Sequence, residues 1–179
     1  QLLDILDILQ LLDILSSNTT GIRNNAFGVE ALYSNTTGQQ NAAYGHQAMR
    51  QNTTGAYNVA MGLSSVYSNT TGCYNTGIGY AVLTSNTTGC YNVAVGNKAL
   101  CCNTTAESNT AIGNQALRNT STGPYNVAVG RDALLSNSTG GGGTAIGTWA
   151  LTNNTTAGYN VAVGYKAMCA NTTGAQNTA

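Results

Sequence analysis

Apolar residues fall into two regimes along this chain. From Gln1 to Leu15 they run in pairs, Leu-Leu, Ile-Leu, Ile-Leu, Leu-Leu, Ile-Leu, with Asp4, Asp7, Gln10 and Asp13 between them. A polar residue at every third position marks no single helical face, and on a strand it would alternate sides. Leucine richness without Gly or Pro predicts a short helix over 1–16. A helix apolar nearly all round must be buried, either as a plug over the open end of the remaining fold or as an oligomerising coiled coil. From Asn18 the pattern changes. Short apolar stretches now recur between turn residues, and they do so every seventeen residues without insertion or deletion, in nine full copies and a partial tenth.

The unit is well represented by Asn86 to Cys102, Asn-Thr-Thr-Gly-Cys-Tyr-Asn-Val-Ala-Val-Gly-Asn-Lys-Ala-Leu-Cys-Cys. Its third position is Thr in all ten copies, from Thr20 to Thr173, and its eleventh is Gly in all nine copies that reach it. The seventh is Asn except at Gly143. Gly and Asn tolerate positive φ and bond locally to backbone, so these positions read as turns. Between them, Asn92 to Val95 alternates as a strand does, and Lys98 to Leu100 is a second, shorter extended stretch.

A fixed short period means that each unit buries its apolar face only against its neighbours. The predicted fold is therefore all-β: a parallel β-solenoid, or β-roll, of nine to ten 17-residue coils spanning residues 17–179. At a strand spacing of about 4.8 Å the rod would be roughly 45 Å long. Val95 and Leu100 with their equivalents are expected to line the interior, with Ala94 and Ala99 letting the walls approach. Equivalent residues of neighbouring coils would stand side by side, so the asparagines at the first and seventh positions could form amide ladders. Tyr57, Tyr74 and Tyr91 could stack in the same way. Among the repeats, no like charges recur at one position in consecutive copies, as this register requires. Extending it backward sets Asp13 beside Glu30, which argues against a further coil in the first segment.

Composition narrows the partners. Six basic and six acidic residues give zero net charge, too few cations for a phosphate-binding surface, so nucleic acid is not an expected partner. No run of 18 apolar residues suggests a membrane span. The five cysteines contain no Cys-x-x-Cys, and His46 is the single histidine, so no metal site is expected. Cys73 and Cys90 occupy one position in consecutive copies, a candidate disulfide or else two stacked thiols. Cys101, Cys102 and Cys169 lack an evident partner within the chain, leaving intermolecular bonds open. Either kind of disulfide would require an oxidising compartment.

Catalysis would break the repeat at an acid, base or nucleophile. His46 lies at a variable position, Asp132 has Arg131 beside it, and Gly140 to Gly143 has no phosphate-loop lysine after it. No enzyme and no cofactor is expected. The Asn-Thr-Thr turn also spells the N-glycosylation acceptor. Candidate sites are Asn18, Asn35, Asn52, Asn69, Asn86, Asn103, Asn119, Asn137, Asn154 and Asn171, with Asn119 recreating the acceptor where Thr120 replaces the first-position Asn. The same residues serve equally as a plain turn.

The string Asn-Val-Ala-Val-Gly-x-x-Ala-Leu, with Asn-Thr-Ala-Ile-Gly at Asn109 to Gly113, resembles the head repeats of YadA-like trimeric autotransporter adhesins. Similar repeats occur in phage tail-fibre proteins. The resemblance covers Asn18 to Ala179. It implies a left-handed β-roll, three chains packed through an apolar face, and adhesion at the cell surface to a host or matrix ligand. The present unit is longer than that head repeat, through its Asn-Thr-Thr-Gly turn, and its apolar segment precedes the roll. The expected function is a non-enzymatic extracellular adhesive fibre. Two alternatives stand beside it: a glycosylated subunit of an end-to-end filament, joined through unpaired strand edges at the last coil, and an ice-binding rod using the Thr87 and Thr88 ladders.

Overall fold

The computed structural model describes residues 13–179. Nine three-residue strands form one parallel sheet in sequence order: β1 (Asn25–Phe27), β2 (Ala42–Tyr44), β3 (Val59–Met61), β4 (Thr76–Ile78), β5 (Val93–Val95), β6 (Thr110–Ile112), β7 (Val127–Val129), β8 (Thr144–Ile146) and β9 (Val161–Val163). Each residue pairs with the one seventeen later, as in Val93↔Thr110 and Ala94↔Ala111. A bridge from Val161 to Thr178 carries the ladder past β9. The fold is the all-β solenoid that the period predicts.

The expected second strand at Lys98–Leu100 is a turn. Lys98 and Leu100 both have left-handed backbones, φ 55° and 48°, and the pattern recurs through the coils, even at the β-branched Val66 (φ 53°). Each such residue costs about 1–2 kcal/mol in isolation. The cost is offset because inter-coil bonding continues through the turns. The amide of Leu100 donates to the Ala116 carbonyl at 3.0 Å, and that of Lys98 to the Tyr80 carbonyl at 2.9 Å. Gly96, at φ 126°, ends the strand where a Cβ would fall 2.6 Å from the Gly113 carbonyl oxygen. Only glycine satisfies both conditions there.

The core also differs from expectation in which strand face it uses. Ala94 is fully buried and Leu100 fully buried opposite it, whereas Val93 and Val95 point outward. Larger residues at the outward positions are clearly exposed, Phe27 at 74% and Met61 at 44%. The physical reason is width. A coil of seventeen residues is narrow, and the leucine file from Leu32 to Leu151 already fills it, leaving room only for alanine on the facing strand.

The helix expected over 1–16 lies, for residues 1–12, outside the described residues. Residues 13–17 form turns on the repeat's register: the Leu15 amide donates to the Ala31 carbonyl at 3.1 Å, and Leu15 has the same φ, 52°, as Leu32. The charge of Asp13 does not prevent this, because the Glu30 carboxylate turns toward Gln47 (2.7 Å) and Arg50 (2.8 Å) in the following coil.

Candidate functional site

Each coil places its Asn-Thr-Thr-Gly turn on a pair of buried amide ladders. The Asn86 Nδ2 donates to the Asn69 Oδ1 at 2.9 Å and to the Gly89 carbonyl at 3.0 Å. Asn52, Asn69 and Asn103 repeat this geometry. The seventh-position asparagines form the second ladder. The Asn92 amide donates to the Asn75 Oδ1 at 3.0 Å, and the Asn75 Nδ2 reaches the same Gly89 carbonyl at 2.8 Å. Both sets of side chains thus converge on one carbonyl per coil, and these asparagines do not occupy the positive-φ positions. Those fall instead to the neighbouring sixth position, for example Tyr91 at 61°.

This geometry bears on the acceptor asparagines. Asn35, Asn52, Asn69, Asn86, Asn103, Asn137 and Asn154 are buried, and the Nδ2 to which a sugar would be joined faces the interior and is already bonded. A glycan there has no room in the folded coil. Asn18 and Asn171 are half-buried and make the same local bond, to Gly21 and Gly174, and Asn119 alone among the candidates is exposed. The turn accounts for the repeated tripeptide without a modification.

All five cysteines are free. Cys73 and Cys90 stack as thiols rather than forming a disulfide. The Cys73 sulfur accepts the Ala56 amide at 3.3 Å, and the Cys90 sulfur accepts the Cys73 amide at 3.1 Å. Each sulfur is thereby directed at a backbone N–H of the coil before it. The neighbouring Sγ atoms of Cys101 and Cys102 lie 3.5 Å apart. Burial, together with the adjacent Cys102 thiol, pushes the Cys101 pKa up to about 11, so Cys101 is a protonated, weakly nucleophilic thiol at neutral pH.

Among the described residues no three His, Cys, Asp or Glu side chains group as metal ligands do. His46 is exposed. Asp132 accepts from Arg131 at 3.4 Å and from the Trp149 indole at 3.0 Å, with the Arg131 guanidinium 4.5 Å from the Trp149 ring centre. The Lys166 amine also stands over the Trp149 ring, 5.1 Å from its centre. Among the described residues no helix is long and apolar enough to cross a membrane.

Three surface files remain. The third-position threonines, Thr20 to Thr173, are exposed in all ten copies. Their second-position neighbours instead donate their hydroxyls to the next coil, Thr87 to the Thr104 carbonyl at 3.0 Å. The exposed hydroxyls therefore form a single file along a turn rather than a two-dimensional array. The outward strand positions form an apolar file, with Val or Thr beside Val or Ile in β4 to β9. The sixth-position tyrosines form the third. Tyr57 and Tyr74 stack with ring centres 4.7 Å apart and Tyr74 and Tyr91 5.1 Å apart, as the register predicts. Sequence reasoning missed the outward strand file because it placed Val95 and its equivalents, one half of that file, inside. The chain matches no family model, no curated protein and no solved structure.

Proposed function

We propose that this chain is a non-enzymatic rod segment of an extracellular adhesive fibre, in which copies associate side by side through the outward strand face. The observation that carries this is the apolar file itself. Val93, Ile112, Val127, Ile146 and Val161 stand exposed in consecutive coils on one flat sheet face. Four strand steps of about 4.8 Å, from β5 to β9, make it roughly 20 Å long, an apolar strip of the kind that marks an interaction surface. Three copies turned face to face would bury it, which is the arrangement implied by the YadA-like repeats. Placement outside the cell and adhesion rest on that same likeness of the strand motif.

Sedimentation equilibrium of the purified chain tests the assembly. The expected mass is three times the 18.3 kDa of one chain, and the double variant Val127→Lys, Ile146→Lys should sediment as a monomer with its fold unchanged. A wild-type chain that stays monomeric at micromolar concentration would overturn the side-by-side association.

A further inference from the structure

We propose that the cleft lined by Tyr125 and Tyr159 is a binding site for a neutral saccharide, one pyranose ring of which lies against the exposed tyrosine faces. The proposal deepens the adhesive part of the function proposed above and rests on it, but the site lies within one chain and does not need the side-by-side association.

The cleft has a volume of about 640 Å³ and coincides with the place where the repeat is most disturbed, Gly140 to Gly143. Elsewhere in the file, consecutive tyrosines cover one another face to face. At Gly142 the ring is missing, and Tyr125 and Tyr159 edge the cleft from two coils apart. The backbone of Gly141 and Gly142 forms the floor, with Pro124 beside it. The file has another gap, at Ser108, but it is bridged, since the Tyr125 hydroxyl donates to the Glu107 carboxylate at 3.1 Å. That bond also holds the Tyr125 wall in place. Tyr159 leans over Gly142, where a Cβ would come within 2.8 Å of its ring. The Tyr159 ring thus takes the place of the missing side chain, and the open cleft runs along the small residues Pro124, Gly141, Gly158 and Ala175 beside the two tyrosines.

The lining chooses the ligand. Two exposed aromatic faces favour a flat partner with C–H groups on its faces. The Thr156 hydroxyl and the two phenol hydroxyls supply hydrogen-bonding groups around those faces, matching a ring that carries hydroxyls on its edge. No charged side chain lines the cleft. That favours a neutral sugar over an anionic one and over a nucleotide, whose phosphate would need a cation.

Calorimetric titration of the full chain with cellotetraose, maltotetraose and chitotetraose, and with a hyaluronate tetrasaccharide as the anionic control, tests this. The expected result is saturable binding of at least one neutral tetrasaccharide and none of the hyaluronate fragment. Tyr159→Ala and Gly142→Tyr should each weaken binding by about tenfold or more, while Tyr74→Ala, in the unbroken stack, should leave it unchanged. Gly142→Tyr suits the backbone, because Gly142 has φ 70° and tyrosines hold 57–61° at this position in other coils. Binding by the Val127→Lys, Ile146→Lys chain should match the wild type, so loss of assembly and loss of the sugar site are separately visible. The proposal is overturned if no neutral tetrasaccharide binds at millimolar concentration, if hyaluronate binds equally well, or if Gly142→Tyr binds undiminished. A Tyr159→Ala chain that loses self-association instead of sugar binding would assign the cleft to a second copy and overturn it equally.

Discussion

Thr120 occupies the one first position of the repeat not filled by asparagine, and the ladder registers the difference. The Asn103 Oδ1 is buried without a hydrogen-bond partner, because the side chain that should donate to it from the next coil is a threonine. Asn137 still reaches the Thr120 hydroxyl, but at 3.3 Å, against 2.7 to 2.9 Å for the corresponding bonds between Asn35 and Asn103. A buried acceptor left unmet costs about 1–3 kcal/mol. Thr120→Asn is therefore expected to stabilise the chain by about 1 kcal/mol, raising the urea midpoint without changing the slope; an unchanged or lower midpoint would refute the ladder's energetic role. The recurrence of asparagine made such ladders legible in the sequence. Their depth was not, since asparagine is ordinarily a surface residue. The same tripeptide also spells a glycan acceptor, and only the burial of Nδ2 separates the two roles.

Each strand is so short that one decision, which way its middle residue points, determines its environment. In β7, Ala128 is buried and Val127 is outside. Ala128→Val should overpack the narrow interior and cost about 1–3 kcal/mol. Val127→Thr should change stability by no more than about 0.5 kcal/mol, as Thr76, Thr110 and Thr144 already stand at that position in other strands. Thermal unfolding of the two variants decides the matter, and a larger loss from Val127→Thr would reverse the assigned faces. The existence, length and register of the strands were legible from the alternation and the period. Their orientation was not, because the usual rule sends the larger aliphatic residue inward, and here Leu134 already holds that space. The turn at Lys98–Leu100 was hidden for a related reason. Leucine has no preference for a left-handed backbone, and only the hydrogen bonds from the adjoining coils hold it there.

Across the whole molecule, every strand packs only on the ones before and after it. Stability in such an array is close to a sum over coils and their interfaces. Removing one complete unit, Asn86 to Cys102, should leave a folded rod with an unchanged circular dichroism line shape and a smaller urea slope. Removing sixteen residues, Asn86 to Cys101, should shift every later residue off its ladder and abolish the cooperative transition. Equal behaviour of the two deletions would mean that the register does not hold the rod together. The seventeen-residue step was the most legible feature of all, since nothing in the chain interrupts it.

That step also determines how the rod would respond to tension. Pulled from its ends, the chain meets its inter-coil bonds one coil at a time, and a coil that peels away releases about 50 Å of slack, seventeen residues at about 3.3 Å each less the spacing it gave up. The coil newly at the end keeps one neighbour, the coils beyond it keep both, and these stay folded. A tether made this way lengthens in even increments under a sudden load, absorbing the shock in its shaft before its point of attachment feels the full force.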